Sequence, residues 1–127
     1  MYDSELSRKL KQLKIEDFIW LIYIGIIIMS WYSNSLERKY FIFNDIGSKE
    51  KYRQTMIIIF TILIFVYIYF VKDSWEDLKS LKVYDSEKKK RLVVLSFLGS
   101  LLIAISGFIF LYIAVMDEEL DVEIAFN

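Results

Sequence analysis

Three blocks without a single Asp, Glu, Lys or Arg constrain the fold of this 127-residue chain. They cover residues 18–36, 55–71 and 92–116, and every charged residue lies outside them. A helix crosses the ~30 Å hydrocarbon core of a bilayer in roughly 20 residues, with about 17–25 as the working range. The blocks therefore predict an all-α integral membrane protein with three transmembrane helices, forming a single membrane-embedded domain over residues 1–127.

The competing interpretation is a soluble bundle in which the three apolar helices are buried. A chain of this length cannot surround three helices that are apolar on every face, which favours the bilayer. The first block also differs from a cleaved secretory signal, because Trp31 and Tyr32 stand where small residues would precede a cleavage site. We therefore expect it to remain as a span. The preference for isoleucine, and for lysine over arginine, suggests an AT-rich bacterial genome.

The distribution of basic residues predicts the orientation. Lys and Arg beside a span are retained on the cytoplasmic side, whereas Asp and Glu count for little. The amino-terminal segment and the segment 72–91 together carry eleven basic residues, against five in the segment 37–54 and none after residue 116. We expect a multi-pass protein of the cell membrane with its N-terminus in the cytoplasm and its C-terminus outside. The strongest single signal is the basic cluster Lys88, Lys89, Lys90 and Arg91.

Two flanks have helical periodicity outside the blocks. Leu6, Leu10 and Leu13 predict a short amphipathic helix capped by Asp3 or Ser4, or else the first turns of a longer first helix. After the second block, Trp75, Leu78 and Leu81 recur every three residues behind a capping-box pair, Ser74 and Asp77. This pattern predicts a possible short cytoplasmic helix between spans two and three, either lying flat or continuing span two.

An apolar island at residues 40–43 interrupts the segment between the first two blocks. The residues after it, Asn-Asp-Ile-Gly, are typical of a turn. We expect the island to dip into the outer membrane interface or to cover the other helices.

Small residues in the third block fall on one side of the predicted helix. At about 100° per residue they occupy an arc of roughly 160°. Small side chains let helix backbones approach closely in lipid, so this helix-packing face is expected either to pack against spans one and two or to dock on another subunit. Its members are Ser96, Gly99, Ser100, Ala104, Gly107 and Ala114.

The tail carries five carboxylates in the seven positions 117–123. It can be interpreted as a cation site, as a solvated flank or as a short strand that pairs with a partner's sheet edge. The strand hypothesis rests on apolar residues that alternate with other side chains, which makes a possible partner peptide of Val122, Ile124 and Phe126.

Composition argues against several functions. The chain has no His and no Cys, which removes the usual nucleophile–base pairs and the usual zinc ligands. There is no glycine-rich phosphate loop, and no block contains the ionisable group expected in a transport path. The short basic run adjoins a block, which gives poor support for nucleic-acid binding. We expect no catalytic residue, metal or cofactor.

These features favour a small non-enzymatic membrane protein that acts as an accessory, assembly or regulatory subunit. Its partners would be the lipid bilayer and either another membrane protein or a second copy of itself. The alternatives are a self-assembling pore former, holin-like or toxin-like, and a bacteriocin immunity protein. Holins often end in a basic cytoplasmic tail, and this tail is acidic.

Overall fold

The computed structural model describes residues 2–124, and the chain there forms three helices: α1 over Tyr2–Phe43, α2 over Ile46–Lys79 and α3 over Glu87–Met116. No strand occurs between residues 2 and 124, so the all-α prediction is confirmed. Two of the helices, α2 and α3, are long and apolar enough to cross a membrane, judged by length and composition. The remaining span, residues 18–36, lies inside α1 and stays a prediction.

The middle helix holds the fold together. α2 packs against α1 on one side and α3 on the other, whereas in the described part of the chain no Cα atom of α1 lies within 8 Å of one in α3. The most completely buried large side chains, Met56 and Phe60, both belong to α2. The outer faces of α1 and α3 are lined with exposed apolar residues, as expected for surfaces that face lipid.

A two-residue turn joins α1 to α2. Asn44 adopts a left-handed conformation with φ 53°, which ends the first helix. The Asp45 carboxylate then caps the second, since its Oδ1 accepts a hydrogen bond from Gly47 N at 3.1 Å and its Oδ2 accepts one from the Ser48 hydroxyl at 2.9 Å. The predicted loop over residues 37–54 is therefore almost entirely helical. Charged residues there mark where the apolar block ends, and nothing before Asn44 stops a helix.

The amino-terminal segment is not a separate helix. α1 begins at Tyr2 and runs without a break for 42 residues, so the positions of Asp3 and Ser4 lie within it. Leu6, Leu10 and Leu13 belong to its first turns, which agrees with the second of the two predictions for this flank. A hydrogen bond from the Gln12 side chain to the Asp73 carboxylate fastens this part of α1 to the end of α2.

The predicted cytoplasmic helix after span two is also part of a longer helix. α2 continues to Lys79 before residues 80–86 form a loop. Ser74 is buried in the helix, and its hydroxyl donates to the backbone oxygens of Phe70 at 2.8 Å and Val71 at 3.1 Å instead of capping a helix start. No residue between the apolar block and Lys79 breaks the helix, so the backbone continues.

Ser86 begins the third helix, because its hydroxyl accepts a hydrogen bond from Lys89 N at 3.1 Å. α3 ends at Met116, the last residue of the third uncharged block. The segment 117–124 that follows is irregular and folds back on the end of the bundle where α1 turns into α2.

Candidate functional site

The small-residue face of α3 is divided into two halves. In the lower half, Ala104, Gly107 and Ala114 are buried. A Cβ atom placed on Gly107 would lie 3.0 Å from Tyr67 Cδ2 and 3.4 Å from Ile64 Cγ1, both side chains of α2. This half therefore packs within the chain.

The upper half of the same face is open. Ser96 is exposed, Gly99 and Ser100 are half-buried, and no atom lies within 4 Å of a Cβ placed on Gly99. The Ser100 hydroxyl donates to the Ser96 backbone oxygen of its own helix at 3.0 Å. The sequence could not separate the two halves, because both consist of small residues on the same side of the helix.

The basic cluster surrounds the start of α3. Lys89 Nζ lies 3.2 Å from an Asp85 carboxylate oxygen, and Lys90 Nζ lies 3.7 Å from one of Glu87. A backbone hydrogen bond from Lys82 is the main cause that lowers the pKa of Asp85, and Lys89 adds to it. Part of the cluster thus shapes the loop 80–86 in addition to its predicted role in topology.

The acidic tail is tied to the bundle. The Asp117 carboxylate accepts hydrogen bonds from Asp121 N at 3.0 Å and Val122 N at 2.8 Å. Glu119 lies 3.4 Å from Lys49 Nζ, near the start of α2. Leu120 is left-handed with φ 56°, which lets the chain reverse here. Asp117 and Glu119 thus act as local structural groups, and residues 117–124 form no strand within the described chain. Pairing of this segment with a partner's sheet edge stays a prediction.

The reversal buries one residue of the predicted partner peptide. Ile124 is 4% exposed and joins the core cluster that contains Leu36 and Tyr52. Val122 remains half exposed at 52%, and Phe126 lies outside the described residues. Ile124 therefore already has neighbours in its own chain, and of the two described members Val122 is the accessible one.

A carboxyl group and a phenol meet beside this buried end of the tail. Burial is the main cause that raises the pKa of Glu37, a hydrogen bond with Tyr52 opposes the rise, and the charge of Glu123 adds to it. Burial likewise raises the pKa of the Tyr52 phenol. Among residues 2–124 no group of three or more His, Cys, Asp or Glu residues is arranged to hold a metal ion, so the cation hypothesis for the tail gains no support.

Arg53 is a structural residue that sequence reasoning missed. Its Nη2 donates to the Val115 backbone oxygen at 2.9 Å, and its Nη1 lies 3.5 Å from Glu50. A guanidinium at a helix C-terminus satisfies a carbonyl that lacks a partner in the helix and complements the helix dipole. No pattern in the sequence around Arg53 predicts this contact, because the contact depends on how α2 and α3 align.

No family model, curated protein or solved structure matches the chain. The surfaces of the molecule itself therefore indicate its function. Within the described residues, the open half of the α3 face combines small side chains with the lack of a neighbouring helix.

Proposed function

We propose that the chain is a three-span, non-enzymatic bacterial membrane protein that serves as an accessory, assembly or regulatory subunit of a membrane complex. The N-terminus lies in the cytoplasm and the C-terminus outside. The partner is another membrane protein, which docks a helix on the open half of α3.

The observation that carries this proposal is the free space around Gly99. Small residues favour helix association in lipid because backbones approach closely and dispersion contacts accumulate. The lower half of the same face gives an internal example, since Gly107 receives the Tyr67 ring of α2. Ser96, Gly99 and Ser100 offer a partner helix the same kind of surface.

The position of the basic residues supports the orientation. The amino-terminal turns of α1 and the loop 80–86 lie at the same end of the bundle, where Ser4, Arg8, Tyr84 and Lys89 line a common open cleft. The acidic tail lies at the other end, joined to Lys49. An end rich in lysine and arginine is the end that cells retain in the cytoplasm.

A second copy of the chain is the competing partner, and self-association through the same face would favour the pore-former alternative.

The test is purification of an affinity-tagged chain from its native host in mild detergent, followed by identification of stoichiometric partners. Gly99→Leu and Ser100→Leu are expected to lose the partner. Gly25→Leu is the matched control, because a Cβ at Gly25 also meets nothing within 4 Å, but on α1.

The purification has three distinguishable outcomes. Loss of one larger membrane protein in the Gly99→Leu sample, with retention in the Gly25→Leu sample, supports the accessory-subunit proposal. A homo-oligomer that dissociates in the Gly99→Leu sample replaces it with self-assembly. A partner that both variants retain contradicts the assignment to this face.

A further inference from the structure

A groove of about 380 Å³ lies between the end of α2 and the start of α3. We propose that it binds one phospholipid with an amine headgroup, the phosphate next to Lys88 and the ammonium next to Asp77. The inference rests on the membrane placement proposed above and is independent of the partner subunit. The groove lies outside the bundle core and shares only Ser96 with the open half of α3.

The charges on the two walls of the groove are opposite and do not neutralise each other. Asp77 stands on the α2 side and Lys88 on the α3 side, and neither forms an ion pair with any residue between 2 and 124. Lys89 also lines the groove but is already paired with Asp85. A zwitterionic headgroup carries one negative and one positive group and would complement both free charges at once.

The groove lies at the depth of a headgroup. Leu92 is the first residue of the third uncharged block, and Lys88 precedes it by about 6 Å along the helix axis. The headgroup layer on each side of the hydrocarbon core is roughly 5–8 Å thick. Lys88 thus stands level with lipid phosphates when the block fills the hydrocarbon.

The lower part of the groove is apolar. Leu92 and Val93 line it beneath the charged residues, which suits the start of an acyl chain. Beside it, the rings of Trp75 on α2 and Phe97 on α3 contact each other with centroids 5.4 Å apart and hold the two walls together. The combination of a charged mouth and an apolar floor fits an amphiphile better than a soluble phosphate compound.

The Asp77 carboxylate favours a lipid with an amine headgroup over an anionic lipid without one. An anionic headgroup without an amine would gain from Lys88 but would bring its phosphate near an unpaired carboxylate. In a headgroup with an amine, the ammonium group lies next to Asp77 and is attracted to its carboxylate. A partly exposed ion pair of this kind discriminates by a small factor, about threefold.

The test uses the full chain, purified in detergent and examined by native mass spectrometry after addition of equal amounts of dioleoyl phosphatidylethanolamine and dioleoyl phosphatidylglycerol. We expect about threefold more of the ethanolamine lipid bound. Asp77→Asn is expected to abolish this preference, and Lys88→Ala to lower the binding of both lipids. Asp121→Asn and Lys9→Ala are the charge-matched controls outside the groove, and neither is expected to change binding.

Equal binding of the two lipids, or a preference that survives Asp77→Asn, would overturn the lipid site. Alkaline extraction of native membranes tests the membrane placement separately. A chain that stays in the pellet without lipid preference refutes only the site, whereas a chain released to the supernatant refutes the placement on which it rests.

Discussion

Gly107 of α3 faces the ring of Tyr67 on α2 so closely that a Cβ atom on the glycine would lie 3.0 Å from Cδ2 and 3.2 Å from Cε2. Gly99, eight residues earlier on the same helix, has no such neighbour within 4 Å. One glycine is thus required by the packing of α2 on α3, and the other leaves a gap on the surface of the chain.

This contrast predicts that the same substitution destabilises the protein at one position and not at the other. Gly107→Leu is expected to destabilise the isolated protein by roughly 1–3 kcal/mol, because the added side chain overpacks the contact with Tyr67. Gly99→Leu is expected to be neutral. Thermal unfolding in detergent, followed by circular dichroism, measures both, and equal loss of stability in the two variants would contradict the assigned packing.

The folded tail predicts that its end contributes to stability. Ile124→Ala is expected to cost about 2 kcal/mol, since it removes buried methyl groups beside Leu36 and Tyr52. Val122→Ala is the control, and at this half-exposed position a change below about 0.5 kcal/mol is expected. If the two variants unfold at the same temperature, the tail does not dock as described.

The hydrogen bond between Arg53 and the end of α3 is a third target. Arg53→Met keeps an apolar stem but leaves the Val115 backbone oxygen without its charged donor, at an expected cost of about 1.5 kcal/mol. Lys51→Met, an exposed neighbour, controls for the loss of positive charge. Denaturation by heat in detergent gives both values, and an Arg53→Met protein as stable as the Lys51→Met protein would exclude the contact.

Glu37 predicts a dependence of stability on pH. Burial raises its pKa above 4.5. The contribution of the protonated carboxyl to the free energy of unfolding is therefore fully present below the unfolded-state pKa and is lost as pH rises through the folded-state pKa. Glu37→Gln keeps an acceptor for Tyr52 and removes the charge. We expect the variant to unfold about 2 °C higher than the wild type at pH 7 and to lose this advantage at pH 4. If the unfolding temperatures of the variant and the wild type differ by the same amount at every pH from 4 to 8, burial does not perturb this carboxyl.

Single cysteines test the orientation. Ser4, Tyr84 and Glu118 are all exposed on the protein, so only the side of the membrane should decide whether a reagent reaches them. In intact cells, a membrane-impermeant thiol reagent is expected to label Glu118→Cys and to spare Ser4→Cys and Tyr84→Cys. Labelling of the latter two alone would invert the proposed topology.

The sequence predicts the three long helices, because each contains one uncharged block, but the two flanks with helical periodicity continue α1 and α2 instead of forming short helices of their own. It predicts their ends less well, since charged flanks mark the edge of the apolar region and not the end of the hydrogen-bonded backbone. α1 and α2 continue until Asn44 and Ser80, and Ser86 begins α3. Long-range contacts were beyond reach for a different reason: the pairing of Arg53 with Val115, and of Gly107 with Tyr67, depends on how α2 and α3 align.

No Cα atom of α1 lies within 8 Å of one in α3 within residues 2–124, so the molecule consists of two helical hairpins that share α2. Substitutions at the α1–α2 interface and at the α2–α3 interface should therefore have additive effects on stability, except at the end where Leu36, Ala114 and Ile124 belong to one cluster. During synthesis the first hairpin can assemble before the third helix emerges, and the last segment completes a structure that already exists. Of the three helices, α2 is the one in which a substitution can disturb both interfaces. The fold of the described chain therefore depends most on α2.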